Sequence, residues 1–292
     1  MILAQLIANS MIIGSIYALV AAGFSLIYST NKFMHFAHGS MVAFSGYMLY
    51  LFFSILRFQF YPACIFTLIL SGLVGWLSYR IVYEPLQRRK SSNVILLIAS
   101  LGMLILFDNL LLLFFGPDIK TINYFSIDRG LNVLGAAITP LQIAIIAISL
   151  MLLVLLFLFM YKTKIGRNMR AVADNKELTS IIGIDYRFVA DLSFIIGSVL
   201  AGIAGILIGI EQNLVPTMGT GLIIKGFTGA VIGSIMSVPG SIVGSYILGF
   251  AENFGVWFIP SQYKDAIAFI LLFVFLLFKP NGLFGVDKGA RK

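Results

Sequence analysis

Residues 137–161 read AITPLQIAIIAISLMLLVLLFLFMY, a stretch that contains no charged side chain. A helix needs roughly 20 apolar residues to cross about 30 Å of hydrocarbon, and this stretch is long enough to do so. An open chain in lipid must satisfy its backbone hydrogen bonds within the segment, as a helix does. The stretch therefore predicts a membrane-spanning helix.

The rest of the chain repeats this pattern. Of its 292 residues 60% are hydrophobic and only 11% are charged, with a mean hydropathy of +1.00, whereas soluble domains carry about 25% charged residues. We therefore predict an all-α polytopic membrane protein with a single transmembrane domain over residues 1–292. The other apolar runs interpreted as helices are 6–28, 36–56, 61–83, 93–115, 188–210, 222–237, 240–258 and 264–279.

The number of spans depends on two short runs, 222–237 and 240–258, which meet at Val238-Pro239-Gly240. Proline and glycine at this point mark a tight break. Two short spans would bring the total to nine helices, and one re-entrant pair would bring it to seven. We predict about eight or nine transmembrane helices.

Basic residues concentrate in alternate loops, which gives the predicted orientation. The net charge is +8, and the positive-inside rule explains it better than a nucleic-acid partner does. The richer set of loops is predicted to be cytoplasmic, which places the N-terminus outside and the C-terminus inside. That set holds Lys32, Arg80, Arg88, Arg89, Lys90, Lys162, Lys164, Arg167, Arg170, Lys176, Arg187, Lys279, Lys288, Arg291 and Lys292, against Arg57, Lys120, Arg129 and Lys264 in the other.

Small residues recur every four positions in the run 188–210. They let helix backbones approach closely, so we interpret them as packing residues rather than as substrate contacts. Residues 14–46 and 197–233 each show a small-residue span, a polar break and two further glycines, a pattern that indicates an inverted repeat. The packing residues are Gly197, Ala201, Gly205 and Gly209.

Ionisable groups inside the membrane are functional candidates because burying them is costly. Asp108 lies in the middle of a run, where either an interhelical hydrogen bond or a pore role would explain it. Lys225, Glu211 and Glu252 lie near the ends of runs, where side chains can reach headgroups or water.

The segment His35-Phe36-Ala37-His38-Gly39 interrupts the first two runs. Two histidines three residues apart could begin a metal site, but no cysteine pair or nearby carboxylate completes one, so no metal is predicted. Irregular backbone at membrane depth is tolerated where it lines a cavity. Phe36, His38 and Gly39 are therefore candidates for the lining of a pathway.

Enzyme signatures are missing from the sequence. There is no Gly-Lys dipeptide and hence no P-loop, and there is no His-Glu-x-x-His or Gly-x-Ser-x-Gly motif. We predict a transport subunit with no catalytic residues, no ATPase site and no cofactor of its own. Such a chain must use an ion gradient, passive flow or a partner that hydrolyses ATP.

The polar loop 162–187 predicts a short amphipathic helix on the cytoplasmic side. Asp174 precedes Glu177, and Gly183 follows six residues after Glu177, the spacing of the coupling loop in ABC importer permeases. A short helix that ends at a glycine turn can dock in a groove of an ATPase and transmit its motion. An ordinary amphipathic surface loop is the alternative interpretation of the spacing alone.

Several motifs, in this order and spacing, make the chain similar nearly end to end to the branched-chain amino acid ABC permease family, and within it to the LivH-type subunit. They are Gly14-Ser15-Ile16-Tyr17-Ala18-Leu19, Ala22-Gly23, Phe36-Ala37-His38-Gly39, Tyr83-Glu84-Pro85-Leu86, Arg170-Ala171-Val172-Ala173-Asp174, Gly183-Ile184, Lys225-Gly226-Phe227-Thr228-Gly229-Ala230-Val231-Ile232-Gly233, Val238-Pro239-Gly240, Tyr263-Lys264-Asp265 and Lys279-Pro280-Asn281-Gly282-Leu283-Phe284-Gly285.

The resemblance implies a bacterial cytoplasmic-membrane permease that pairs with a second, related permease above two ATP-binding subunits. An external binding protein would deliver leucine, isoleucine, valine or a related small polar solute. Lys225 and Gly229 would line the pathway together with the first break. Ser40 and Gly233-Ser234 depart from the family pattern, which puts a branched-chain substrate in doubt. The competing prediction is a stand-alone secondary transporter or channel.

Overall fold

The computed structural model describes residues 2–124, 130–133 and 135–285. Arg129, Lys288, Arg291 and Lys292, which entered the predicted charge balance, lie outside the described residues. The helices are α1 (Ile2–Asn31), α2 (Ala37–Leu49), α3 (Phe60–Ser78), α4 (Glu84–Arg88), α5 (Asn93–Phe115), α6 (Pro140–Lys162), α7 (Lys164–Asp174), α8 (Lys176–Ile181), α9 (Tyr186–Glu211), α10 (Met218–Gly233), α11 (Val238–Gly255) and α12 (Lys264–Phe278).

Short irregular helices extend three of these elements. A π-helical turn, Tyr50–Ile55, continues α2, and another, Tyr79–Tyr83, joins α3 to α4. A 3-10 turn, Ser261–Tyr263, leads into α12. The result is a set of long helices whose backbone hydrogen bonds are satisfied internally, as lipid requires.

Helix α1 forms the centre of the bundle. It packs against α6, α9, α10 and α11, and 89% of its most apolar 18-residue stretch is buried. The corresponding fraction is 72% for α9 but only 6% for the segment Ser261–Phe278. Glycine, alanine and serine residues dominate the middle of α1, which allows four helices to surround it closely.

Six helical segments of the described chain are long and apolar enough to cross a membrane, or seven if α10 and α11 cross as one bent pair. That pair bends by 114° at its break. The prediction of a polytopic, helical membrane protein is confirmed. The helix that runs from Ala37 to Ile55 is not among the six, because polar residues such as His38 and Ser45 lower its hydropathy.

The basic loops gather at one end of the bundle, which we call the basic end. The Tyr186 hydroxyl, at the start of α9, donates to Asn31 Oδ1 at the end of α1 across 3.2 Å. Arg187 Nε lies 3.5 Å from Glu84 Oε1. The start of α9 therefore meets both the end of α1 and α4 at this end of the molecule.

The opposite end carries the only strands among the described residues. β1 (Leu131–Val133) pairs with β2 (Ala136–Ile138) as an antiparallel hairpin that includes the first two residues of the apolar run 137–161. After the hairpin, Thr139 caps α6 by accepting from the backbone of Gln142. The hairpin is a local exception to the all-α prediction and lies outside the spans.

Candidate translocation and coupling sites

The first break lies between α1 and α2, where Phe36 was predicted to line a pathway. A left-handed backbone at Lys32, with φ of 63°, ends α1. The half-buried Phe36 ring then contacts Phe24 of α1 and Phe227 of α10, with ring centroids 6.2 Å and 5.4 Å away. This aromatic cluster joins the break to two of the central helices.

His38, the second predicted pathway residue, is fully buried under α1. A Cβ on Gly23 would lie 2.8 Å from His38 Nε2, so the imidazole occupies the space that this glycine leaves. His35, also buried, has its Nδ1 2.9 Å from the Tyr83 hydroxyl. No group of three metal-ligating side chains occurs among the residues that the structure describes.

Gly39 lies where α2 crosses α10. A Cβ on Gly39 would be 2.6 Å from Ile223 Cβ, and a Cβ on Gly219 would be 2.7 Å from the Gly39 carbonyl carbon. The two backbones therefore touch directly. A similar contact joins α1 to α9, where a Cβ on Gly23 would be 2.9 Å from the Gly197 carbonyl oxygen.

Asp108 of α5 lies next to the crossing of α2 and α10. Ser40 donates to one carboxylate oxygen across 3.1 Å, and Thr220 donates to the other across 3.1 Å. The interhelical hydrogen bond that was one interpretation of Asp108 is therefore present. Thr220 was not foreseen, because a threonine near the end of a run carries no signal of its own.

Lys225, the predicted pathway residue of α10, belongs to a largely buried ionic cluster. Its Nζ lies 2.8 Å from Asp265 Oδ1 and 3.5 Å from Glu252 Oε1. Glu252 is fully buried and also accepts from the Tyr17 hydroxyl across 2.8 Å. Lys264 Nζ completes the cluster 4.0 Å from Glu252. Four helices, α1, α10, α11 and α12, meet at these side chains.

Gly229 faces α11, where its Cβ would lie 2.8 Å from Ser245 Cα. The small-residue stripe of α9 packs in the same manner. Gly197 meets α1, Ala201 is fully buried, and a Cβ on Gly205 would lie 3.1 Å from Ser45 of α2. Gly209 is the last residue of the stripe, and a Cβ on it would lie 3.6 Å from the Cα of Gly46.

Four of the five predicted pathway residues thus lie on α10 or against it. Phe36 and Gly39 contact α10 directly, and Lys225 and Gly229 lie on it. His38 instead packs against α1. Their role in lining a pathway stays a prediction, since most of these groups are buried against neighbouring helices.

The loop 162–187 contains two helices rather than the single one expected. Asn175 adopts an extended conformation and accepts from the backbone of Glu177 and Leu178, so it ends α7 and begins α8. Asp174 and Glu177 are exposed on either side of it. Gly183, with φ of 80°, provides the left-handed turn after α8.

Helix α8 presents an apolar surface away from the bundle. Leu178, Ile181 and Ile182 are 59%, 79% and 71% exposed. Partial burial lowers the pKa of the adjacent Lys176, whose Nζ lies 3.3 Å from the Tyr186 ring centroid. Exposed apolar side chains on a polar loop at the basic end mark a surface suited to contact with a protein or with the membrane.

The root of this loop is held by charges around the buried Glu84. Arg88 Nη2 lies 2.7 Å from Glu84 Oε1, and Arg80 Nη1 lies 3.3 Å from Oε2. Arg187 also reaches Glu84, and Arg80 pairs with Asp191 of α9. This cluster is not among the predicted site residues, although a glutamate beside several arginines near the membrane surface is a usable signal in the sequence.

Long apolar helices with buried polar clusters and close glycine contacts between them make this a polytopic membrane protein. The family described as "Branched-chain amino acid transport system / permease component" matches residues 6–276. The chain belongs to this family.

Individual proteins show the same relationship. The chain is 32% identical to the high-affinity branched-chain amino acid transport system permease protein BraD of Pseudomonas aeruginosa, covering 96% of this chain and 95% of that protein. It is 30% identical to the permease protein LivH of Escherichia coli, with the same coverage.

A solved structure shows a similar fold. A chain of PsaBC from Streptococcus pneumoniae in complex with Fab matches with a TM-score of 0.52 and 13% identity, over 94% of this chain and 92% of that chain. At this identity the similarity concerns the fold alone.

Proposed function

We propose that the chain forms one half of the pore of an ATP-driven importer and moves leucine, isoleucine, valine or a related small polar solute across the bacterial cytoplasmic membrane. The observation that carries this proposal is α8, a short helix at the basic end with exposed Leu178 and Ile181, followed directly by the exposed Ile182. Exposed apolar side chains outside the spans support contact with a partner protein. The substrate class follows the names of the relatives.

The chain has no ATPase site or cofactor in this proposal, and ATP is bound by partners. These are two ATP-binding subunits beneath the membrane, a second related permease beside this chain, and an external substrate-binding protein. Asp174, Glu177 and Gly183 form the coupling element that receives the movement of the ATP-binding subunits. The exposure of Asp174 and Glu177 and the left-handed turn at Gly183 support this role.

In the membrane, we propose eight or nine transmembrane helices with the N-terminus outside and the C-terminus in the cytoplasm, an orientation that requires an odd number of complete crossings. The gathering of basic loops at one end supports this orientation. An inverted repeat relates α1 and α2 to α9 and α10. Two matched contacts support the repeat, Gly23 with Gly197 between the leading helices and Gly39 with Gly219 between the trailing ones.

The pathway runs along α10 in this proposal, with Phe36, His38 and Gly39 of the first break and Lys225 and Gly229 on α10. Discontinuous helices near such breaks supply polar groups at membrane depth. Transport proceeds by alternating access, in which the helices around α10 rearrange when the partner ATPases close.

A pull-down from native membranes in mild detergent, followed by mass spectrometry of co-purifying proteins, tests the proposal. We expect two P-loop ATPases and a second permease to come with the chain. Recovery of the chain alone, together with solute uptake by the purified chain in liposomes, would instead establish a self-sufficient transporter or channel.

A further inference from the structure

A cavity of about 130 Å³ opens at the basic end between the last turns of α6 and the first turn of α11. Ser29 of α1 contributes to its lining, and so do Arg170 and Ala173 of α7. Phe157 and Ile242 contribute apolar surface from the flanking helices. None of the residues that line it carries a carboxylate.

Arg170 is held in place, yet part of its guanidinium is unused. The guanidinium carbon lies 4.4 Å from the centroid of the Tyr161 ring, and Nε donates to the Met160 carbonyl across 3.1 Å. Among the described residues, none accepts a hydrogen bond from its two Nη atoms. Two donors of a fixed, planar group are therefore available in the geometry that suits a phosphate.

Two further features make the cavity attractive to an anion. Lys32 Nζ donates to the Ala173 carbonyl and lies 3.7 Å from Met236 Sδ, so a second cation borders the cavity. Ser237 and Val238 belong to the N-terminal end of α11, an 18-residue helix whose dipole places partial positive charge there. The site thus combines a guanidinium, an ammonium and a helix N-terminus.

The position of the cavity at the end of a membrane span favours a lipid headgroup over other anions. It lies where α6, a membrane span, ends and where the loop carries further basic residues at Lys162, Lys164 and Arg167. Phe157 and Tyr161 are each 43% exposed on the outer side of α6, so an acyl chain can follow that helix from the cavity into the hydrocarbon. Basic pockets between spans at this depth bind lipid headgroups.

We propose that this cavity binds the phosphodiester headgroup of an anionic phospholipid, with Arg170 as the main phosphate ligand and an acyl chain along Phe157 and Ile242. The lipid would wedge between α6 and α11 and support α7 from the membrane side. This site is independent of the transported solute.

The test uses the purified full-length protein, with its co-purifying subunits, in nanodiscs and then native mass spectrometry. Phosphatidylglycerol is compared with phosphatidylcholine of the same acyl chains. We expect the native protein to retain phosphatidylglycerol, and R170Q to retain it about fivefold to tenfold less, since one basic contact near the surface has roughly this effect. R167Q removes the same charge from an exposed position of α7 outside the cavity, so it should lose clearly less phosphatidylglycerol than R170Q, because its guanidinium makes no contact with the bound headgroup.

A second variant keeps Arg170 and fills the cavity. M236W should also lose phosphatidylglycerol while thermal unfolding remains that of the native protein. Equal retention of the two lipids by the native protein, or equal loss in R170Q and R167Q, overturns the proposal. Stabilisation of the native protein but not of R170Q by millimolar inorganic phosphate, without selective lipid retention, would assign the site to a free anion and also overturn it.

Discussion

Gly39 and Gly219 touch backbone to backbone, since a Cβ on Gly219 would lie 2.7 Å from the Gly39 carbonyl carbon. The contact fixes the start of α2 against the start of α10. Asp108 joins the same crossing through Ser40 and Thr220. The proposed pathway therefore lies beside a backbone contact between α2 and α10, where neither glycine can be replaced by a larger residue without a clash.

This contact predicts a position-specific effect on α10. G219A should destabilise the protein by about 1–3 kcal/mol, because an added methyl group overlaps the α2 backbone. G221A, two residues along the same helix, places its methyl group in open space and should leave the unfolding midpoint unchanged or raise it slightly, since alanine favours a helix over glycine. Thermal unfolding of the purified protein in detergent measures both, and equal midpoints for the two variants would contradict the contact.

The ionic cluster around Glu252 predicts a difference between its two acids. E252Q should destabilise the protein by about 1–3 kcal/mol, because it leaves Lys225 and Lys264 without their shared, fully buried partner. D265N removes a carboxylate whose side chain is 71% exposed and should cost less than about 1 kcal/mol. Chemical or thermal unfolding of the two variants side by side is the measurement. If D265N is the more damaging change, the cluster is not organised around Glu252.

Gly183 predicts an effect that arises from backbone conformation. Its φ is 80° and no atom lies within 4 Å of an added Cβ, so a substitution there meets strain and no clash. G183V should reduce uptake in proteoliposomes containing the partner subunits without changing thermal unfolding of the spans, because a β-branched residue disfavours the left-handed turn. G183N, which tolerates that turn, should transport nearly normally. Normal uptake by G183V at normal expression would remove the coupling role.

The exposed surface of α8 predicts loss of a partner. I181E should prevent co-purification of the ATP-binding subunits, because it places a charge in the apolar contact while leaving the bundle intact. I119E is the matched control: Ile119 is 63% exposed, against 79% for Ile181, but lies in the loop at the opposite end. Co-purification in mild detergent reports the outcome, and retention of the ATPases by I181E would exclude α8 as their docking surface.

The sequence by itself determined that this protein lies in a membrane and which segments are apolar enough to span it. The run 137–161 became α6 (Pro140–Lys162), and 93–115 became α5 (Asn93–Phe115). Such runs are predictable because transfer into lipid depends on the composition of one contiguous segment. The family was also recognisable from motif order, and the matching profile confirms it.

Local chemistry outside the spans was only partly readable. The loop 162–187 was expected to hold one helix, but Asn175 satisfies two backbone donors of α8 and so divides it. The hairpin of β1 and β2 went unforeseen because three-residue strands carry no periodic signal. Helix caps and short strands depend on single side chains, and the composition of a whole segment does not reveal the effect of one residue.

Only the tertiary structure decided the partners of the buried polar groups. Lys225 was a candidate from its position in the sequence, but nothing local indicated Glu252, Asp265 or Tyr17 as its neighbours. The same holds for Thr220, which reaches Asp108 from 112 residues away. The physical reason is that a polar side chain buried within the bundle must find a donor or acceptor on another helix. Which helix supplies it depends on how the helices pack together.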